Sequence, residues 1–298
     1  MPSWKDVLDE VKAAGSIYDA TRRKYLAELH QLTGRNVIIY YSGWLQRPEQ
    51  RSSVFSLTDR DKNGFMAAIY GLEREKGLDL LLHTPGGELA ATESLVDYLR
   101  RMFGSNIRAV VPQLAMSAGT MIALACREVI MGKHSSLGPI DPQIVGLPAH
   151  GIIEEFVRAA EQIKADPTTI PLWQPIIAKY HPTLIGECQK AILWADQMVK
   201  DWLQSGMFAN DPQAQDKADR IVRELGDHAL TLSHSRHISA TKAAEVGVMI
   251  TPLEGNSHLQ EAVLTVHHAC ILTLAVTPVA KIIENHNGVA YMESIGTQ

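Results

Sequence analysis

Short apolar strands alternating with amphipathic helices between residues 37 and 131 predict an α/β fold on a mostly parallel sheet. Two further observations agree. The 298-residue chain is 46% hydrophobic and 20% charged, enough to bury a sizeable core. Two of its strands also run directly into small-residue turns that open a helix, the usual joint between parallel strands.

Residues 4–33 read as one helix, because Val7, Leu8, Val11, Tyr18, Tyr25, Leu26 and Leu29 recur at roughly helical spacing and Gly34 ends the pattern. Val37–Tyr41 is nearly all apolar, the mark of a buried strand. A polar loop, Arg47–Ser56, precedes a helix over 62–76 that ends at Gly77. Leu78–His83 is a second strand, leading into Thr84-Pro85-Gly86-Gly87. Then follow an amphipathic helix (Glu88–Phe103), a strand (Ile107–Pro112), a helix (Ser117–Cys126) and a strand (Glu128–Met131).

From 151 to 225 the pattern changes. Leu184, Cys188, Ile192, Ala195, Met198 and Trp202 recur every three or four residues with no strand between, so the segment reads as a helical insertion closed by Gly226. A strand-like stretch at 229–232 and a helix near Ala240–Val246 follow, with a C-terminal part placed only loosely. The chain thus divides into an N-terminal helix (1–34), a core of 35–150 with 227–298, and the insertion (151–226).

Lys plus Arg number 28 and Asp plus Glu 33, a net charge of −5 without basic runs, which predicts no nucleic-acid partner. Cys126, Cys188 and Cys270 are far apart, which argues against a disulfide framework and for a reducing compartment. The N-terminus lacks the apolar stretch of a signal peptide. The apolar stretches Ala109–Ile130 and Leu259–Ile283 are both interrupted by polar residues, so no membrane span is expected and the location is read as cytoplasmic.

Asp59-Arg60-Asp61-Lys62-Asn63-Gly64 matches half of an EF-hand loop, but its twelfth position is Tyr70 where a bidentate Glu is needed. Asp59 or Asp61 is better read as the N-cap of the following helix. The pairs His234/His237 and His267/His268 lack a third ligand at a known spacing, so no metal, and no organic cofactor, is expected.

Two turns carry more. In His83-Thr84-Pro85-Gly86-Gly87 the glycines let backbone approach a ligand, with N–H groups free at a helix N-terminus. In Leu114-Ala115-Met116-Ser117-Ala118-Gly119-Thr120 a strand delivers a serine to the start of a helix, as in a nucleophile elbow, although Ala115 stands where the strict motif has glycine. Turns after neighbouring parallel strands gather at one end of a sheet. The amides of Gly86 or Gly87 and of Ala118 then flank the Ser117 hydroxyl as an oxyanion hole beside a nucleophile.

HTPGG, the serine of AMSAGT thirty positions later and SSLGPIDPQ at 135–143 resemble the Clp protease/crotonase superfamily. Within it they look most like the serine dehydrogenase-type proteinases, named for a Ser–Asp–His order. The resemblance covers 78–145 strongly and 229–250 more weakly. It implies a spiral of β-β-α units, a serine peptidase acting on peptides or unfolded protein, and a homo-oligomer. Asp141 occupies the place where Clp proteases proper carry their histidine, so the base should come from the later segment. His234 aligns best with it and His237 is the second choice. In physical terms, a serine hydroxyl needs an imidazole to take its proton, and a buried carboxylate fixes that imidazole's tautomer.

Three rivals stand beside this reading. Relatives that cleave signal peptides use a Ser–Lys dyad, for which Lys164 is suitably placed, although Glu161, Gln162 and Asp166 suggest a solvated face. A crotonase-like acyl-CoA enzyme shares the oxyanion hole but does not need Ser117. A catalytically inactive scaffold binding peptides in the same cleft is the third. No ATP-binding GxxxxGK[ST] segment occurs, so an unfolding partner would be a separate chain.

Overall fold

The computed structural model describes residues 4–13, 19–144, 146–226 and 233–295. Helices α1 (Trp4–Ala13) and α2 (Ala20–Thr33) lead into β1 (Asn36–Ser42), α3 (Asp59–Ile69) and β2 (Leu78–His83). Next come α4 (Leu89–Phe103), β3 (Ile107–Val111), β4 (Leu114–Ala115), α5 (Ala118–Leu124), β5 (Glu128–Met131) and β6 (Ser136–Leu137). A small hairpin, β7 (Gln143–Ile144) and β8 (Leu147–Pro148), precedes α6 (Ala149–Ala165), α7 (Ile170–Ile177), α8 (Leu184–Ser205) and α9 (Ala214–Gly226). The chain then runs β9 (Ile238–Ser239), α10 (Ala240–Val246), β10 (Ile250–Pro252), α11 (Ser257–Val276), β11 (Val279–Asn285) and β12 (Ala290–Ser294).

The central sheet has the order β10-β5-β3-β2-β1-β11-β12. Its first five strands pair in parallel, while β11 and β12 add antiparallel. The fold is a mixed α/β one. Strand residues alternate between two cores, as a two-residue period requires. Ile38, Tyr40, Leu80, Leu82, Ala109 and Val111 face α3, α4 and α5. Val37, Ile39, Tyr41, Leu81, Val110 and Ile130 face α2 and α11. Burial on both faces is why the strands read as largely apolar runs, broken in β2 and β3 only by the ion-paired Asp79 and Arg108.

Several expectations are corrected. The continuous helix 4–33 is divided, since Asp19 lies outside both helices as the N-cap of α2. Tyr18 and the 229–232 strand lie outside the described residues. The helix placed at 62–76 begins at Asp59, because Thr58 is its N-cap and Asp61 closes a capping box three residues on. It ends at Ile69, ahead of Gly71 at φ 77°.

The stretch from Leu259 is one helix uninterrupted by His267 and His268, with Pro278 falling beyond it. That helix, α11, is long and apolar enough to cross a membrane by length and composition. Here its Val263, Val266, Cys270 and Leu274 are buried against the sheet and α2. Arg22 of α2, buried, ion-pairs with buried Glu284 of β11 and donates to Thr273 Oγ1 at 3.1 Å, pinning these layers together.

The insertion is only partly separate. Ala195, Met198, Val199 and Leu203 of α8 and Ala218, Ile221, Val222 and Leu225 of α9 belong to the main core. Ala149, Ile152 and Cys188 form a small cluster of their own.

Candidate active site

Ser117 sits at φ 49°, ψ −115°, the one non-glycine residue with positive φ among the described residues. Such backbone costs about 1–3 kcal/mol and persists only where its surroundings fix it. They do so here. Thr84 N donates to Leu114 O at 3.1 Å and Met116 N to Thr84 O at 3.0 Å, locking the turn after β2 to the one after β4. Thr120 Oγ1 donates to Ala115 O at 2.7 Å, tying the first turn of α5 back to β4. A Cβ on Gly119 would lie 2.5 Å from Thr84 Cγ2, so only glycine fits there. The Ser117 side chain makes no cap hydrogen bond to its helix and is half-buried, lining a cleft.

The diglycine loop lies against it. Leu57 N donates to Gly86 O at 2.8 Å and Glu88 N to Leu57 O at 2.9 Å, a parallel bridge centred on Gly87. In such a bridge the central residue's own N–H and C=O face the opposite edge, so the Gly87 amide turns away from Leu57. Gly86 N donates to Thr84 Oγ1 at 3.2 Å, which engages that amide within its own turn. Of the two glycines proposed as oxyanion donors, Gly87 has the available amide. Gly86 serves close approach instead: at φ 103°, an added Cβ would lie 2.7 Å from Ser117 Cβ and 2.9 Å from Ala118 N.

A second, three-stranded sheet of order β4-β6-β9 gathers the rest. β4 and β6 are parallel and β9 is antiparallel to β6, so residues after β4 and β6 and before β9 share one end. Those residues are Ser117, Asp141 and His234. His234 Nδ1 lies 2.8 Å from Asp141 Oδ1; Asp141 is fully buried and the His234 side chain is 20% exposed. Asp141 Oδ2 is buried without a hydrogen-bond partner among the described residues. The Asp141 loop is anchored by Gly138 N to Thr120 Oγ1 at 2.8 Å and by Ile140 N to Leu225 O at 2.9 Å.

Pro85, Gly86, Gly87, Ser117, Ala118 and His234 all line one cavity of about 600 Å³. His237 and Lys164 are exposed and are absent from its lining. Two further walls complete this cavity. One is Ala191 and Trp194 from α8, with Trp194 Nε1 donating to Glu93 Oε1 at 3.1 Å across to α4, so the tryptophan-bearing insertion, for which the sequence suggests either oligomer contacts or a cover over the site, does reach the cleft. The other is Ser52, Ser53 and Ser56 from the loop read only as polar, with Thr58 just beyond it. Below the cleft, His83 is buried among Tyr41, Trp44 and His267, and burial pushes its pKa well below the ordinary histidine value.

A family model described as ClpP-like SDH-type serine proteinase matches residues 21–253. Among curated proteins, two uncharacterized proteins of Methanocaldococcus jannaschii are similar. One is 30% identical over 194 residues, 65% of this chain; the other is 32% identical over 192 residues, 64% of this chain. The chain spans about 59% of the length of each of these relatives. With most of its length matched, including the diglycine, Ser117, Asp141 and His234 segments, the chain belongs to the ClpP-like SDH-type serine proteinase family.

Proposed function

We propose that the chain is a serine peptidase that hydrolyses peptides or unfolded protein through an acyl-enzyme, with Ser117 as nucleophile, His234 as general base and Asp141 as its orienting carboxylate. One observation carries this: the three short strands deliver these side chains to one end of one small sheet, with the Asp141–His234 bond formed. Asp141 accepts from Nδ1–H, which leaves Nε2 as the unprotonated, acceptor nitrogen.

His234 Nε2 takes the Ser117 proton as Oγ adds to the scissile carbonyl. The Gly87 and Ala118 amides receive the oxyanion, each such donor being worth about 10²–10³ in rate. Collapse of the tetrahedral adduct expels the amine, which takes the proton from His234. Water then repeats the sequence on the ester and frees Ser117. The exposed position of Lys164 disfavours a Ser–Lys dyad. Self-association is supported by Val157, Leu172 and Leu193, exposed on the insertion helices.

The test is covalent labelling of the full chain by a fluorophosphonate probe. Labelling mapped to Ser117 and abolished in Ser117→Ala supports the reading. An unlabelled wild-type protein with a normal melting transition contradicts it.

A further inference from the structure

We propose that Lys281, far from the cleft in sequence and buried in β11, is a positioning residue for the oxyanion loop; the inference rests on the peptidase reading above. Its side chain is 2% exposed, and a buried ammonium is destabilising unless each N–H finds an acceptor. Lys281 Nζ lies 2.8 Å from Asp61 Oδ1, 3.0 Å from Glu293 Oε2 and 3.2 Å from the Ser56 carbonyl oxygen. Asp61 Oδ2 in turn accepts from Thr58 N at 2.8 Å. The ion pair therefore grips the backbone on both sides of Leu57.

Leu57 faces the other way. Its own N–H and C=O hold Gly86 O and Glu88 N, the two bonds that turn the amide of the cleft-lining Gly87 away from Leu57. The extended segment 56–58 is thus a spacer with two edges, one held by Lys281 and Asp61 and one holding the diglycine. Ser42 Oγ, on the strand paired beside Lys281, adds a third hold through Phe55 O at 2.9 Å. A structural ion pair alone would be complete with the two carboxylates; the donation to Ser56 O links it to the oxyanion side. Lys281 lies beyond the residues matched by the family model, so the device belongs to the C-terminal part of this chain.

The test compares Lys281→Met with the double variant Lys281→Met/Asp61→Asn, both in the full chain. The amide introduced by Asp61→Asn keeps an oxygen for Thr58 N while removing the stranded charge. Fluorophosphonate labelling rate, kcat and KM on fluorescein-casein, and Tm are measured. Removal of one oxyanion donor costs about 10²–10³, so its misalignment is expected to lower kcat and labelling by roughly tenfold, with KM within about twofold. The double variant regains Tm but not rate, because Ser56 O is still unheld. A double variant whose rate recovers with its Tm overturns the inference, as does a Lys281→Met protein labelled at the wild-type rate well below its Tm. Should Lys281→Met not fold, the double variant decides alone. Unlabelled wild-type protein would instead remove the peptidase reading itself.

Discussion

Replacing Gly86 with alanine tests the closest packing in the cleft. The added methyl lies 2.7 Å from Ser117 Cβ and 2.9 Å from both Ala118 N and Met116 O. Ordinary contact begins near 3.4 Å, so the loop and the elbow must separate by roughly 0.7 Å. That displacement falls between Ser117 with its neighbouring Ala118 amide on one side and the proposed Gly87 donor on the other. A misplacement of about 1 Å in a reacting constellation costs on the order of 10²-fold, so the labelling rate and kcat/KM should fall by ~10–100-fold. Strain at φ 103° adds a stability loss that must be separated from this. Gly34→Ala is the control, at φ 66° with nothing within 4 Å of the new methyl. Left-handed backbone costs an L-residue roughly 1–2 kcal/mol, or about 2–8 °C in Tm for a domain near this size. Gly34→Ala should lose that much Tm and Gly86→Ala at least that much because of its overlaps, and only Gly86→Ala should lose activity. A Gly86→Ala protein labelled within about threefold of wild type would refute the assignment of this contact to the reaction centre.

Asp141→Asn should lower kcat by ~10²–10⁴ at neutral pH, judging from comparable triad aspartates, whereas Lys164→Met, on an exposed helix face, should leave it within about twofold; the reverse order would indicate a dyad. His237→Ala should leave activity near wild type and His234→Ala should abolish it, as read by fluorescein-casein hydrolysis. Stability should decline in acid through the buried histidines. Burial lowers the pKa of His83, His267 and His268 in the folded protein, His267 to about 3. The neutral forms are favoured by folding, so their stabilisation is present above about 6.5, the unfolded value, and is lost as pH falls toward the folded values. The buried His83 and His267 each contribute a slope of up to about 1.4 kcal/mol per pH unit in that window, and the half-buried, solvent-screened His268 less. Urea titrations from pH 7 to 4 should show the slope reduced in His267→Phe; an unchanged slope would show that His267 is not part of it.

Much of this arrangement is legible in the sequence. The apolar runs at 37–41 and 80–82 reflect burial on both sheet faces, and the glycines and serine at 86, 87 and 117 mark sharp turns that few other residues allow. Asp141 and His234 were legible through flanking motif, since neither carries a periodic signal. The C-terminal region was opaque for a physical reason. α11 is apolar on nearly every side, so it offers no 3.6-residue stripe, and it passes into β11 with only Thr277 and Pro278 between. Leu57 was hidden differently. Its part in the site is made entirely by backbone N–H and C=O, and main-chain pairing leaves no trace in side-chain composition. The tryptophans of the insertion suggest a cover over the site, but which residues reach the cleft is not legible, because Ala191 and Trp194 continue the same helical periodicity that buries Ala195 and Met198.

The second sheet is built from strands of two residues each, and β9 is held through two residue pairs, Ser136 with Ser239 and Leu137 with Ile238. The central sheet does not depend on them. Protection against hydrogen exchange should therefore be layered, with amides of β1, β2 and β3 exchanging only on global unfolding and those of β9 through a local opening of lower free energy. The histidine approaches its carboxylate on the less protected layer. On the proposed function, mild denaturant would then abolish activity by releasing one short strand while the spectroscopic signature of folding is still intact.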